Sequence, residues 1–261
     1  MEKLRNEIEK YCKNLDDRSL EEIKAIDKDN TTSPFSKESQ KLEYLMHKNI
    51  LTHEEYVSLK EQFNARNKYL YLYEMTSAVC GKEVEEIVLK TNEDEFKKAC
   101  KDNLPADGYS SFNKQFDLFI DLGDKGIIRV EVKSNRASSN SAKATSLTSK
   151  AKKKKEFEDK NRSFHFQQLK PACSHVFILV GIYSDAISFY VLNSDELKTF
   201  NLSPQHKGGK TDKNDPDFEG QVSISVNDLS KYGPRKDLLK RVKEKYKKLS
   251  KETIDFISNH F

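Results

Sequence analysis

Apolar residues change their spacing partway along this chain. In the first hundred residues they recur every three to four positions. Leu4, Ile8, Tyr11 and Leu15 make one stripe and Leu42, Leu45 and Met46 another, which predicts helices over residues 2–28 and 36–66. Asn30-Thr31-Thr32-Ser33-Pro34 separates them. Thr52-His53-Glu54-Glu55 has the form of a capping box, with Thr52 as N-cap and Glu55 at N3, so a further helix opens there. A longer helix is expected from about Tyr69 to Lys90, with Leu72, Thr76, Val79, Cys80, Glu83 and Ile87 on one stripe. Residues 92–101 read as one more short helix before the turn Pro105-Ala106-Asp107-Gly108.

The period then becomes two. Gln115–Asp121 and Ile127–Ser134 read as strands joined by Gly123-Asp124-Lys125-Gly126, and His175–Tyr183 with Ala186–Leu192 as a second hairpin. Between the hairpins, Ser138–Lys155 is rich in Ser, Ala and Lys without an apolar period, so it is expected to be a loop or weak helix. His206–Gly220 is a polar loop, Gln221–Val226 a short strand, and the helical spacing returns from Arg235. Helices, then strands, then helices imply an α/β or α+β layer around one mixed sheet.

Composition narrows the class. Charged residues are 34% of the 261 and hydrophobic residues 36%, and no apolar run approaches the roughly 20 residues that span a bilayer. The opening Met1–Glu7 has no apolar core, so no secretory signal is expected. Cys12, Cys80, Cys100 and Cys173 are scattered without C-x-x-C spacing, which points to reduced thiols and a cytoplasmic setting rather than disulfides or zinc. The net charge of +4 is uneven: residues 129–170 hold 12 Lys/Arg against 4 Asp/Glu and residues 231–251 hold 10 against 2, whereas residues 1–65 hold 11 against 14. Two concentrated basic stretches suit phosphate neutralisation, although a solvated lysine-rich surface would look the same. A phosphate-binding G-x-x-x-x-G-K-[ST] loop, a G-x-S-x-G and an H-E-x-x-H are all absent.

The first hairpin carries the candidate chemistry. Phe116, Leu118, Ile120, Ile128, Val130 and Val132 share one face by alternation, leaving Asp117, Asp121, Arg129, Glu131 and Lys133 on the other. A turn centred on Asp124 sets Asp117 across from Glu131, with Lys133 one step further. Like charges opposed across strands are unfavourable. A compensating Mg²⁺ would relieve them, being commonly held by one or two carboxylates plus phosphate. Such an ion polarises a phosphate and acidifies water, and Lys133 would orient or deprotonate that water or neutralise transition-state charge. The plainer alternative is an amphipathic hairpin whose charges face water.

Asp117 followed by Glu131-Val132-Lys133 resembles the PD-(D/E)XK signature of restriction-endonuclease-like nucleases, with Phe116 where that signature has Pro. The resemblance covers roughly residues 70–195. It implies a restriction-endonuclease-like α/β domain over 70–261, a mixed central sheet flanked by helices, with residues 1–69 as a helical extension or DNA-recognition subdomain. It further implies Asp117 and Glu131 as Mg²⁺ ligands, Asp121 and Asp107 being alternatives to Asp117, with Glu83 as an additional ligand from the preceding helix. Phe164–Leu169 is similar to a helix that follows the motif and supplies a catalytic Gln, here Gln168 or Gln167. Arg136 and Lys152, Lys153, Lys154 and Lys155 are expected to face DNA. The implied activity is sequence-specific cleavage of double-stranded DNA by a type II restriction enzyme, leaving 5′-phosphates. The implied partners are a second copy of the chain and a cognate methyltransferase. Alternatives are a repair or recombination nuclease that reads DNA structure, a non-catalytic DNA-binding module of the same fold, and a cytosolic interaction domain.

Overall fold

The computed structural model describes residues 2–13, 15–28, 34–100, 116–136, 163–183, 186–233 and 237–260. Asp107, Gln115 and the Ser138–Lys155 stretch with Lys152–Lys155 lie outside them. Contacts divide the chain into two compact units, one built mainly from residues up to Met75 and one from Thr76 onward.

The first unit is helical: α1 (Glu2–Cys12), α2 (Asp17–Lys28), α3 (Pro34–His47), α4 (His53–Arg66) and α5 (Leu70–Glu74). The single helix expected over 2–28 is two, because the Asp16 carboxylate accepts the Ser19 N–H at 2.7 Å and starts a new helix there. Thr52 forms the full capping box with Glu55 at the head of α4. Leu4, Ile8, Leu42 and Leu45 meet Leu59 and Phe63 in one core.

The second unit opens with α6 (Ser77–Lys90). The continuous helix expected over 69–90 is interrupted because Met75 and Thr76 are extended, with ψ of 153° and 156°. The central sheet comprises β1 (Phe96–Lys98), β2 (Leu118–Asp121), β3 (Ile127–Arg136), β5 (Val176–Ile182) and β6 (Ile187–Asn193), in the order β1-β2-β3-β5-β6. β3 and β5 run parallel and every other pair antiparallel, so the sheet is mixed. A second sheet orders β4 (Ser163–Leu169), β8 (Gly220–Ser225) and β7 (Ser203–Pro204). The remaining helices are α7 (Ser194–Lys198), α8 (Val226–Ser230), α9 (Leu238–Lys247) and α10 (Lys251–His260).

Helices cover both faces of β3. Ser134 and Arg136 hydrogen-bond toward Cys80 of α6, while Arg129, of opposite parity, donates from Nη1 to the Ile257 carbonyl of α10 at 2.7 Å. The fold is therefore α/β, a mixed five-stranded sheet flanked by helices. Among the described residues no helix is long and apolar enough to cross a membrane.

Three expectations are corrected. Residues 92–101 contain β1 rather than a helix, with Phe96 paired to Ile120. Phe164–Leu169 is a strand: Phe164 and Phe166 are buried and alternate with exposed His165 and Gln167, and a bulge with Gln168 at φ 55° re-phases the strand so that Leu169 is buried too. On the charged side of the β2–β3 hairpin Arg129 and Glu131 are at most 5% exposed, as is their neighbour Phe119, while Asp121 is exposed. Phe116, just ahead of β2, leaves the Leu118 face and lies 5.5 Å from the Arg129 guanidinium, clustered with Phe119.

A candidate active site at the open edge of the third strand

Leu118 pairs with Val130 and Ile120 with Ile128, a register symmetric about Asp124 that, continued by one residue, sets Asp117 beside Glu131. β2 begins only at Leu118, so the second half of β3 has lost its ladder partner on that side. Asp117 fills the gap: its N–H donates to the Val130 carbonyl at 3.1 Å and its own carbonyl accepts from Ala99 at 2.9 Å. Its carboxylate Oδ2 takes the Val132 N–H at 2.8 Å, where a strand carbonyl would otherwise stand. One carboxylate oxygen is thereby fixed at the edge of β3, on the side where Glu131 and Lys133 project.

Glu131 and Lys133 lie two residues apart on one face of β3, and Lys133 Nζ forms an ion pair with Glu131 Oε1. The Glu131 side chain is 6% exposed and that of Lys133 21%. Glu131 Oε2 is buried with no hydrogen-bond partner among the described residues. A buried carboxylate oxygen without a partner carries a desolvation cost that a cation or a proton relieves.

The electrostatics follow. Burial, then the Asp117 charge, push the Glu131 carboxyl up to about 8 against the pull of Lys133. Asp117 is also raised, by burial, against Lys133 and the Val132 N–H. Burial works against the Lys133 charge, but Glu131 and Asp117 outweigh it and its proton is held above the ordinary lysine range. A third acid belongs to this field: Glu85 of α6 is pushed up to about 7 by burial and by Asp117, with Lys133 and Lys98 opposing. Lys170, just beyond β4, adds positive charge at Glu131.

The other expected site residues lie elsewhere. Glu83 shares α6 with Glu85, but its charge acts on Cys80. The buried positions of the helix are Cys80, Val84 and Val88, and Val79 is 52% exposed, so the apolar stripe is rotated from the expected one and brings Glu85 toward Asp117. Asp121 is exposed and accepts from Gly123 N–H at 2.8 Å, which holds its carboxyl below the usual range, with Lys97 adding to it. Gln167 reaches His165 and Gln221, each at 3.4 Å, and the Gln168 N–H is held by Gln205 at 2.7 Å, all on or beside the second sheet. Arg136 ends β3 beside Cys80. His206 is exposed, 3.9 Å from Glu219. Glu85 and Lys170 escaped the sequence; only a correctly phased α6 would have marked Glu85.

Among the described residues no group of three or more His, Cys, Asp or Glu side chains is arranged to hold a metal ion. A Mg²⁺ ion needs no such cage, since it keeps several waters and takes one or two carboxylates plus phosphate oxygens. Asp117 and Glu131 fit that requirement: both offer carboxylate oxygens, Glu131 Oε2 is unsatisfied, and both carboxyls are raised by burial. No protein family, curated protein or solved structure matches the chain.

Proposed function

We propose that this centre hydrolyses phosphodiester bonds, and that the protein is a Mg²⁺-dependent endonuclease of restriction-endonuclease-like fold. Its substrate is double-stranded DNA cut at a specific sequence, in the manner of a type II restriction enzyme, with 5′-phosphates left on the product. The observation that carries this function is the half-buried Asp117–Glu131–Lys133 cluster with the buried, orphaned Glu131 Oε2. An ordinary surface hairpin would leave these charges in water and need no cation.

Asp117 and Glu131 would hold the ion, with Glu85 near enough to tune their charge. A bound Mg²⁺ supplies Lewis-acid polarisation of the phosphate and a more acidic water. The chain's own residues do the rest. Asp117 is oriented by the Val132 N–H before any ligand arrives, so no reorganisation is needed at that oxygen. Lys133 keeps its proton, which suits it to neutralise charge developing on the phosphate rather than to act as a general base. Glu131 aims the ammonium through the ion pair. A homodimer cutting both strands and a cognate methyltransferase protecting host DNA belong to the same proposal.

Incubation of the full chain with supercoiled plasmid, in Mg²⁺ and in EDTA, tests it. The expected result is discrete linear fragments with 5′-phosphates in Mg²⁺ only. Equal cleavage in EDTA, or none in Mg²⁺ across plasmid and genomic DNA, would contradict it.

A further inference from the structure

The second sheet contains no charged residue. Its strands read Ser-Phe-His-Phe-Gln-Gln-Leu, Ser-Pro and Gly-Gln-Val-Ser-Ile-Ser, in a chain of which 34% is Asp, Glu, Lys or Arg. One face is apolar and buried: Phe164 stacks near Tyr190 at 6.2 Å between ring centres, and Phe166, Val222 and Ile224 are interior. The register places His165 beside Ser223 and Ser203 beside Gln221 on the opposite face, and Gln167 reaches Gln221. His165, Gln167, Ser203 and Ser223 are exposed there. An open depression of about 450 Å³ runs along this face, walled by Phe200 and Asp228 as well as by the sheet. Among the described residues these side chains bond at 3.0 Å between His165 and Ser223 and at 3.4 Å between Gln167 and both His165 and Gln221, and Ser203 Oγ donates to the Gln221 carbonyl at 3.4 Å. His165, Gln167 and Ser223 nevertheless present polar atoms to solvent.

We propose that this face reads DNA sequence, its ligand being the base edges of the duplex major groove. The proposal rests on the nuclease function above. An antiparallel ribbon fits that groove, and amide, imidazole and hydroxyl groups are those that pair with base edges, glutamine with adenine above all. Lysines on such a face would bind phosphate without telling one sequence from another. They stand instead around it: Lys207 is exposed on the loop between β7 and β8, where Lys210 pairs with Asp215 at 3.1 Å, and Lys231 lies 5.9 Å from the Phe200 ring at the rim. Asp228, held by the Ser225 hydroxyl at 2.7 Å, supplies an acceptor for a cytosine amino group. The face is also tied to the proposed catalytic strand: the His165 N–H donates to Asn135 Oδ1 at 3.1 Å, two residues past Lys133 on β3.

Cleavage of genomic DNA in Mg²⁺ by the wild type, Gln167→Ala, Gln221→Ala and the double variant Lys207→Ala/Lys210→Ala, with sequencing of the ends, tests the inference. Each glutamine change should lower the ratio of cognate to off-site cuts by about 10- to 100-fold, the discrimination carried by one base contact, without moving the thermal midpoint. The lysine changes should weaken cleavage evenly at all sequences and make its salt dependence shallower. Glutamine variants that keep the wild-type site preference overturn this inference and leave the nuclease function standing. A wild type that cuts without sequence preference overturns it together with the sequence specificity proposed above and leaves Mg²⁺-dependent cleavage standing, whereas a wild type that cuts nothing overturns both proposals.

Discussion

Glu131→Gln keeps the size of a buried side chain and removes its charge. In the metal-free protein the Glu131 carboxyl holds its proton to about 8 rather than its ordinary 4.5, first through burial and then through Asp117. At 1.36 kcal/mol per pH unit, ionising it costs the fold at most about 5 kcal/mol, with the Lys133 pair already counted. The folded state then binds more protons than the unfolded one from about pH 4.5 to 8, so this group's contribution to stability falls as pH rises through that window. Glutamine has no proton to lose, and Lys133 keeps Asp117 as a counter-charge. The variant should match or trail the wild type at low pH and exceed it by a few kcal/mol, roughly, above pH 8. Urea unfolding of both proteins in EDTA across this range measures the difference. Mg²⁺ should then raise the wild type by binding only its folded form and leave the variant nearly unmoved. A stability difference that is flat with pH, or that turns against the variant as pH rises, would refute the reasoning.

Gly181→Ala should destabilise the second unit by about 1–3 kcal/mol, because its new Cβ would stand 2.5 Å from Phe164 Cζ; thermal melts should show the loss, and Phe164→Leu should recover part of it. Thr52→Ala removes the acceptor of the Glu55 N–H, 3.2 Å away, and should cost the helical unit about 0.5–2 kcal/mol in urea titrations while leaving cleavage intact. Unchanged midpoints would contradict either expectation.

Much of this fold was legible because periodic burial leaves a long record. Leu4, Ile8, Leu42 and Leu45 repeat over several turns, β5 is a continuous apolar run, and β6 is mostly apolar with Ser188 within it. The Asp117–Glu131 register was legible for a different reason, that a short turn leaves a hairpin little freedom. Features decided by tertiary contact were not. β1 is three residues long and exists by pairing with β2. β4 carries its alternation for only four residues before Gln168 resets it, which lets Phe164–Leu169 pass for a helix. Burial of Arg129 depends on the Ile257 carbonyl, 128 residues away. Glu85 could be told from Glu83 only by knowing which side of α6 meets the sheet, and Val79, apolar yet exposed, misleads on that point.

Single-turnover cleavage of a cognate duplex in Mg²⁺ by Asp117→Asn, Lys133→Ala and Asp121→Asn addresses the proposed centre most directly. Asp117 and Lys133 share the half-buried cluster around Glu131, whereas Asp121 only caps an exposed turn. The first two variants should remain folded and lose cleavage by several orders of magnitude, and Asp121→Asn should cut at nearly the wild-type rate. Wild-type rates in folded Asp117→Asn or Lys133→Ala, or loss confined to Asp121→Asn, would contradict the assignment of this cluster as the catalytic centre.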